Sequence, residues 1–400
     1  MLTTLGQLLA LVGLAITGLL LGRVLHLERT LACLLVGFVA GLSLAYLPFD
    51  TGIRAHNLKE LIFFIVLPVL IFEAAWHLKP GLLQQWLAPV LLLATLGVII
   101  SCLVTAALLY LGINHPQGFP WVAALLAGAI LAATDPVAVV SQLRRLDAPQ
   151  GLTTVFEGES LFNDASAVVL FSFILGFALD GGSPLSLSAI TTFAKMFFGG
   201  LVAGGAVGVM AAWFARYSAA APVTMVLMLF SAFGSFYLAE HLLHWSGILA
   251  VMACAIAFRI SLNGIEHTIA AGASAGWEWL GLAFTSVLFV IMGLVITLDM
   301  FVERWLAMLI AVAAALVGRT LAVISCAWLT RGRRGGTLTL KWQLLLVWGG
   351  LRGAIAIALV LSLPVQLPYW WTIQAMVFGV VLFSLLVQGT SNARLLERLK

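Results

Sequence analysis

Residues 120–143 read PWVAALLAGAILAATDPVAVVSQL. The run is about as long as the hydrocarbon core asks of a helix, roughly 20 residues, and it lacks the alternation of a barrel strand. Yet it contains Asp135 followed by Pro136. A proline inside a helix removes a backbone hydrogen bond and clashes with the carbonyl four residues earlier. Irregular backbone at membrane depth is tolerated only where it is buried in protein or lines a cavity. The stretch therefore predicts a membrane helix broken near Thr134–Pro136. Carbonyls freed near Ile130–Leu131 and at Thr134 would be available to a cation.

The rest of the chain agrees with a bilayer as solvent. Of 400 residues, 62% are hydrophobic and 9% charged, whereas soluble domains carry about a quarter charged residues. The expectation is an all-α polytopic membrane protein. A formal charge of +4 gives no reason to invoke nucleic acid. Cys33, Cys102, Cys254 and Cys326 sit in apolar segments without metal-ligand or redox spacing and read as small apolar residues. The first 22 residues, MLTTLGQLLALVGLAITGLLLG, lack a charged leader and an obvious cleavage site, so they read as a first membrane helix.

Splitting the apolar runs at proline, glycine and charge gives about thirteen spans. They lie near 3–22, 30–48, 60–77, 86–112, 120–142, 158–180, 190–215, 222–240, 246–262, 276–298, 302–330, 341–363 and 370–393. Cytoplasmic loops are enriched in Lys and Arg. With the N-terminus outside, the inner side receives Arg23, Arg29, Lys79, Arg144, Arg145, Arg216, Arg259, Arg331, Arg333, Arg334, Lys341, Arg394, Arg398 and Lys400. The outer side receives only Arg54, Lys59 and Arg304, and the C-terminus is cytoplasmic. Spans one to six and eight to thirteen start at offsets of about 212 to 221, with an odd number of crossings between the sets, the pattern of an inverted repeat. The organisation expected is one transmembrane transport domain over 1–400. Its repeats lie at about 1–180 and 222–396, joined by a helix at about 190–215, with no soluble domain and a chain end just past the last helix.

Ionisable residues inside spans mark ion pathways or proton relays. Here they are Glu73, Asp135, Glu159, Asp164, Arg319 and Arg352, while Lys195 lies near a helix end and can snorkel. Carboxylate exceeds guanidinium, so the site must take up a cation or protons. Asp135 shifted by about 218 falls on Gly353 in Trp348-Gly349-Gly350-Leu351-Arg352-Gly353, so a second broken span, the twelfth, is expected opposite the fifth. The sixth span opens on Phe156-Glu157-Gly158-Glu159-Ser160-Leu161-Phe162-Asn163-Asp164. Glu159, Asn163 and Asp164 are expected on roughly one face with Ser160 beside Asp164, a set of hard oxygen donors suited to alkali cations. Glu157 is expected at the solvated edge.

Ala133-Thr134-Asp135-Pro136-Val137-Ala138-Val139 and Phe156-Glu-Gly-Glu159-Ser160-Leu-Phe-Asn163-Asp164 together resemble the NhaP-type sodium/proton antiporters, in the cation:proton antiporter-1 family that includes the animal Na+/H+ exchangers. Leu67-Pro68-Val-Leu-Ile-Phe72-Glu73, Gly318-Arg319 and Gly349-Gly-Leu-Arg352-Gly match further motifs in order. The resemblance implies a homodimer, thirteen helices with unwound segments crossing in the fifth and twelfth, and elevator-like alternating access. It implies Asp164 as the carrier of cation and proton, with Asp135, Ser160, Thr134 (through its carbonyl) and Glu73 (through water) completing a Na+ site. Asn163 stands where electrogenic relatives have a second aspartate. Glu159 and Arg319 match the family's buried ion pair, with Arg352 and Pro136 as support. The chain departs from the pattern in lacking a long cytoplasmic tail, and at Ala74-Ala75-Trp76-His77, which is bulkier than expected.

The function expected is exchange of Na+ or Li+ for H+ in a bacterial inner membrane, competing for Asp164 at one to one. No cofactor and no enzymatic chemistry are expected, and the partners are the ions, lipid and a second copy. K+/H+ exchange, a cation channel and an intramembrane aspartyl protease built on Asp135 and Asp164 are the alternatives. The histidines (His26, His56, His77, His115, His241, His244, His267) fall near interfaces; His77 and the His241/His244 pair are alternatives for pH sensing.

Overall fold

A computed structural model describes residues 2–44, 62–78, 80–113, 119–180, 187–218, 220–262, 267–331 and 338–399. Arg54, Lys59, Lys79, Arg333, Arg334, Lys400, His56 and His115 lie outside the described residues, as does the side chain of His267. Among the described residues the chain is helical and has no strands. This follows from the bilayer, where apolar runs must satisfy their own backbone groups. The helices are α1 (Leu2–Val24), α2 (Arg29–Leu44), α3 (Ile62–Trp76), α4 (80–112), α5 (Trp121–Ala132), α6 (Val137–Arg145), α7 (Gln150–Asp180) and α8 (Leu187–Ser218). There follow α9 (Ala221–Leu242), α10 (Gly247–Ser261), α11 (His267–Val295), α12 (Leu298–Thr330), α13 (Leu340–Trp348), α14 (Ala354–Leu361) and α15 (370–399). Among the described residues, eight helical stretches are long and apolar enough to cross a membrane, so the chain is an integral membrane protein. Val202, Trp213 and Phe230 are among the large apolar side chains left on its outer surface, as lipid-facing helices require.

The expected break in the fifth span is the gap between α5 and α6, and that in the twelfth is the gap between α13 and α14. Other boundaries differ. α7 begins at Gln150, directly after Pro149, so Phe156–Asp164 lies well inside the helix instead of opening it. The apolar-run criterion started the span late because the polar residues 157–159 interrupt the run, whereas a proline marks where a helix can begin. Four π-helical turns (Ile62–Val66, Leu93–Gly97, Leu238–Leu242 and Ser384–Gln388) have no hydropathy signature.

Packing sorts the helices into two groups. One holds α1–α3 and α8–α11; the other holds α4–α7 and α12–α15. Small residues let backbones touch, the main device for helix association in lipid. A Cβ at Gly200, Gly204 or Gly208 of α8 would run into the carbonyl oxygens of Ser246, Ala250 and Cys254 on α10. A cavity lined by candidate site residues lies where the two groups face each other.

Candidate functional site

Each broken span leaves free backbone carbonyls on one side and free N–H groups on the other. The breaks cross in space: the N–H of Asp135 donates to the carbonyl of Leu351 (2.8 Å), an antiparallel bridge between extended segments. All four helix ends have partners of the sign the helix dipole calls for. At the end of α5, the carbonyl of Ala133 accepts from Arg352 Nη1 (2.8 Å). At the end of α13, the carbonyl of Leu346 accepts from Arg319 Nε (3.2 Å) and Nη2 (3.1 Å), and that of Trp348 accepts from Gln388 Nε2 (3.0 Å). The two N-terminal ends share one anion. Asp135 Oδ1 accepts from the N–H of Val137 (3.0 Å), and the Asp135 carboxylate also accepts from the N–H of Ala354, which opens α14. Gly353 makes this approach feasible, since a Cβ there would overlap the Asp135 carboxylate.

α7 presents two adjacent rows to this crossing. Glu159 and Asn163 form one row. Arg319 grips Glu159 in a two-pronged pair, Nη1 to Oε1 at 2.7 Å and Nη2 to Oε2 at 3.0 Å. Asn163 Nδ2 donates to Glu159 Oε1 (2.9 Å) and to Thr134 Oγ1 (3.1 Å). Ser160 and Asp164 form the other row and line a cavity of about 1080 Å³ with Thr134 and Asp135. The single face expected for Glu159, Asn163 and Asp164 is thus divided, because the helix turns by about 100° per residue. Glu159 and Asn163 are buried behind the cavity wall.

Ser160 Oγ donates to the carbonyl of Thr134 (2.5 Å), and the N–H of Thr134 donates to Asp164. The carbonyls of Ala133 and Thr134 each accept one hydrogen bond, and a carbonyl oxygen has a second lone pair. Asp164 Oδ1 is buried without a partner among the described residues, as is Asn163 Oδ1. Pro136 stands at the head of α6 with φ −91° and ψ −3°. Glu73 faces the same cavity from α3 on the opposite wall, its side chain 29% exposed. Glu157 also lines the cavity, its side chain 19% exposed and paired with the exposed Arg144.

Around the crossing, Asp135 and Asp164 line the cavity and Glu159 is buried, against the buried Arg319 and Arg352. By formal charge that leaves one negative charge at the crossing, with Glu73 a further carboxylate across the cavity. Sequence reasoning missed Gln388 and Ser384, whose side chains hydrogen-bond each other (2.8 Å) beneath Trp348. Their signal was two polar residues, four apart, set among the apolar residues 375–387 of the final span.

A membrane bundle whose two broken helices cross beside an incompletely neutralised carboxylate set belongs to the class of ion-coupled transporters. The chain matches the family profile "Sodium/hydrogen exchanger, transmembrane" over residues 9–398 and belongs to that family. It is similar to the Na(+)/H(+) antiporter ApNhaP of Aphanothece halophytica, 34% identical over 95% of this chain and 72% of the relative. It is also similar to the Na(+)/H(+) antiporter NhaH of Halobacillus dabanensis, 31% identical over 98% and 97%. Among solved structures, the sodium proton antiporter MjNhaP1 from Methanocaldococcus jannaschii superposes with a TM-score of 0.85 at 20% identity, covering 100% of this chain and 99% of that one.

Proposed function

We propose that this protein is a secondary transporter exchanging Na+ (or Li+) for H+, with the two substrates competing for Asp164. The observation that carries the reading is Asp164 itself: it lines the cavity at the helix crossing and its Oδ1 has no partner among the described residues. A buried polar atom left unpaired asks for an explanation, and a transported ion supplies one. Ser160, Thr134 and Asp135 are neighbouring oxygen donors, hard enough for an alkali cation. Glu73 acts from the facing wall, and Asn163 acts behind it by holding Thr134 and Glu159 in register.

Competition yields coupling. Loaded with one Na+ or one H+, the crossing is neutral; empty, it carries one net negative charge, which is costly to move through a low-dielectric bundle. Only loaded forms cross readily, so the exchange is one to one and electroneutral. Arg319–Glu159 and Arg352 are the fixed part of the balance. The thirteen-span reading is supported by the helix order, counting α5–α6 and α13–α14 as single broken spans. The same order supports inverted repeats at about 1–180 and 222–396 in one transport domain, with α8 as the link. The charge distribution supports an outer N-terminus and a cytoplasmic C-terminus, with the cavity opening inward at Arg144 and Glu157. The bacterial antiporter relatives support a place in the bacterial cell membrane, and the family resemblance implies a homodimer there.

The test is exchange in proteoliposomes with Na+, Li+ and K+ over a pH series, beside Asp164→Asn. Cation-driven proton movement in the native protein, absent from the variant, is expected. Proton movement that survives in Asp164→Asn overturns the role of Asp164, a transport current in planar membranes overturns electroneutrality, and a response to K+ alone reassigns the cation.

A further inference from the structure

α3 ends at Trp76, and Glu73 sits in its last turn. Terminal turns fray unless something ties them down. Here the tie is Trp76. Its ring stacks on Phe72 (6.0 Å, 14°) and meets the edge of Phe258 from α10 (5.6 Å, 84°). The Arg259 guanidinium lies 5.2 Å from its centroid, and Nε1 donates to Ser274 Oγ on α11 (2.7 Å). Phe72 in turn stacks on Trp277 of α11 (4.6 Å). Two turns beyond Ser274, a Cβ at Gly281 would meet the Glu73 side chain at 2.9 Å, so Glu73 rests on the same stripe of α11 that receives the tryptophan N–H.

We propose that Trp76, through its hydrogen bond to Ser274, is a positioning residue for Glu73 and sets how tightly the cavity captures the incoming cation. The proposal rests on the reading of this cavity as the cation path. The Coulomb attraction of a carboxylate for a cation falls with distance, so a wandering Glu73 contributes less than a fixed one. Capture is a ground-state interaction made before the site moves, and its loss raises KM and leaves the maximal rate alone. Packing alone would leave Ser274→Ala, which keeps the Trp76 ring and its contacts, without effect; positioning through the N–H would not.

The experiment is Na+ exchange by the purified full chain in proteoliposomes for Trp76→Phe, Ser274→Ala, Glu73→Gln and the double variant Trp76→Phe/Glu73→Gln. Loss of one net hydrogen bond predicts a Na+ KM raised about threefold to tenfold in Trp76→Phe and in Ser274→Ala. The maximal rate should stay within about twofold. In the Glu73→Gln background, Trp76→Phe should add nothing. Should Trp76→Phe fold poorly, Ser274→Ala removes the same bond from the other side. Unchanged KM in Ser274→Ala, a reduced maximal rate at constant KM, or increments that multiply in the double variant would overturn the proposal. Native protein without Na+-driven proton movement would instead overturn the transport reading, and that arm is read independently.

Discussion

Glu159→Ala separates bracing from binding. Glu159 and Arg319 are 1% and 4% exposed, and their pair is two-pronged at 2.7 and 3.0 Å. Deleting the carboxylate leaves the Arg319 charge facing only the Leu346 carbonyl and deprives Asn163 Nδ2 of one of its two acceptors. Stranding a buried charge costs about 3–5 kcal/mol, and the lost Asn163 bond adds about 1 kcal/mol. A loss of about 4–6 kcal/mol multiplies the unfolded fraction by about a thousandfold to ten-thousandfold. The assay is temperature-dependent loss of monodisperse protein in detergent, with Na+ KM measured on whatever folds. Glu159→Ala is expected to be strongly destabilised. Arg319→Met/Glu159→Ala should recover part of the loss, because no charge is stranded, but not all, because the Leu346 carbonyl then lacks its donor. The Na+ KM of folded Arg319→Met/Glu159→Ala, which keeps the formal charge of the crossing, should lie within about twofold of native, since neither side chain lines the cavity that holds Asp164. A thermostable Glu159→Ala protein with a Na+ KM raised tenfold or more would refute this reasoning and make Glu159 a cation ligand.

Three further outcomes are expected. Asp164→Asn should keep its thermal stability, because Oδ1 has no partner to lose, yet show no Na+-driven proton flux in vesicles. Gly353→Ala should insert and fold but lose at least about tenfold in maximal rate, since the new Cβ displaces Asp135 from the N–H groups of Val137 and Ala354; native rates would show that Asp135 needs no such placement. Gly204→Leu should force α8 from α10 and cost more than about 3 kcal/mol by overpacking. Gly205→Ala, where nothing lies within 4 Å of a Cβ, should be neutral or gain up to about 1 kcal/mol of helix propensity; a thermal-shift comparison of the pair checks both.

Most of the helical plan was legible because the bilayer imposes a length and an apolar composition on each span, and both are local properties. The two breaks were legible for the same reason: Pro136 and the Gly349–Gly353 cluster act on the backbone where they stand. The start of α7 was missed because a polar patch inside a helix looks, in hydropathy, like its end. The π turns were missed because no composition marks them.

The site divides along the same line. From sequence alone came the membrane class, the family motifs and the identity of the costly carboxylates, since an ionisable residue in an apolar run is conspicuous wherever it ends up. Only the tertiary structure showed which partner each carboxylate meets. Glu159 and Asp164 lie five positions apart on one helix, yet Arg319, 160 residues beyond Glu159, claims the first and leaves the second facing the cavity. Asp135 became the shared cap of two half-helices because Gly353, distant in sequence, comes close enough to admit it. Partners fixed by chain crossing have no local signature, and in a low-dielectric interior it is the partner that sets what a charge can do.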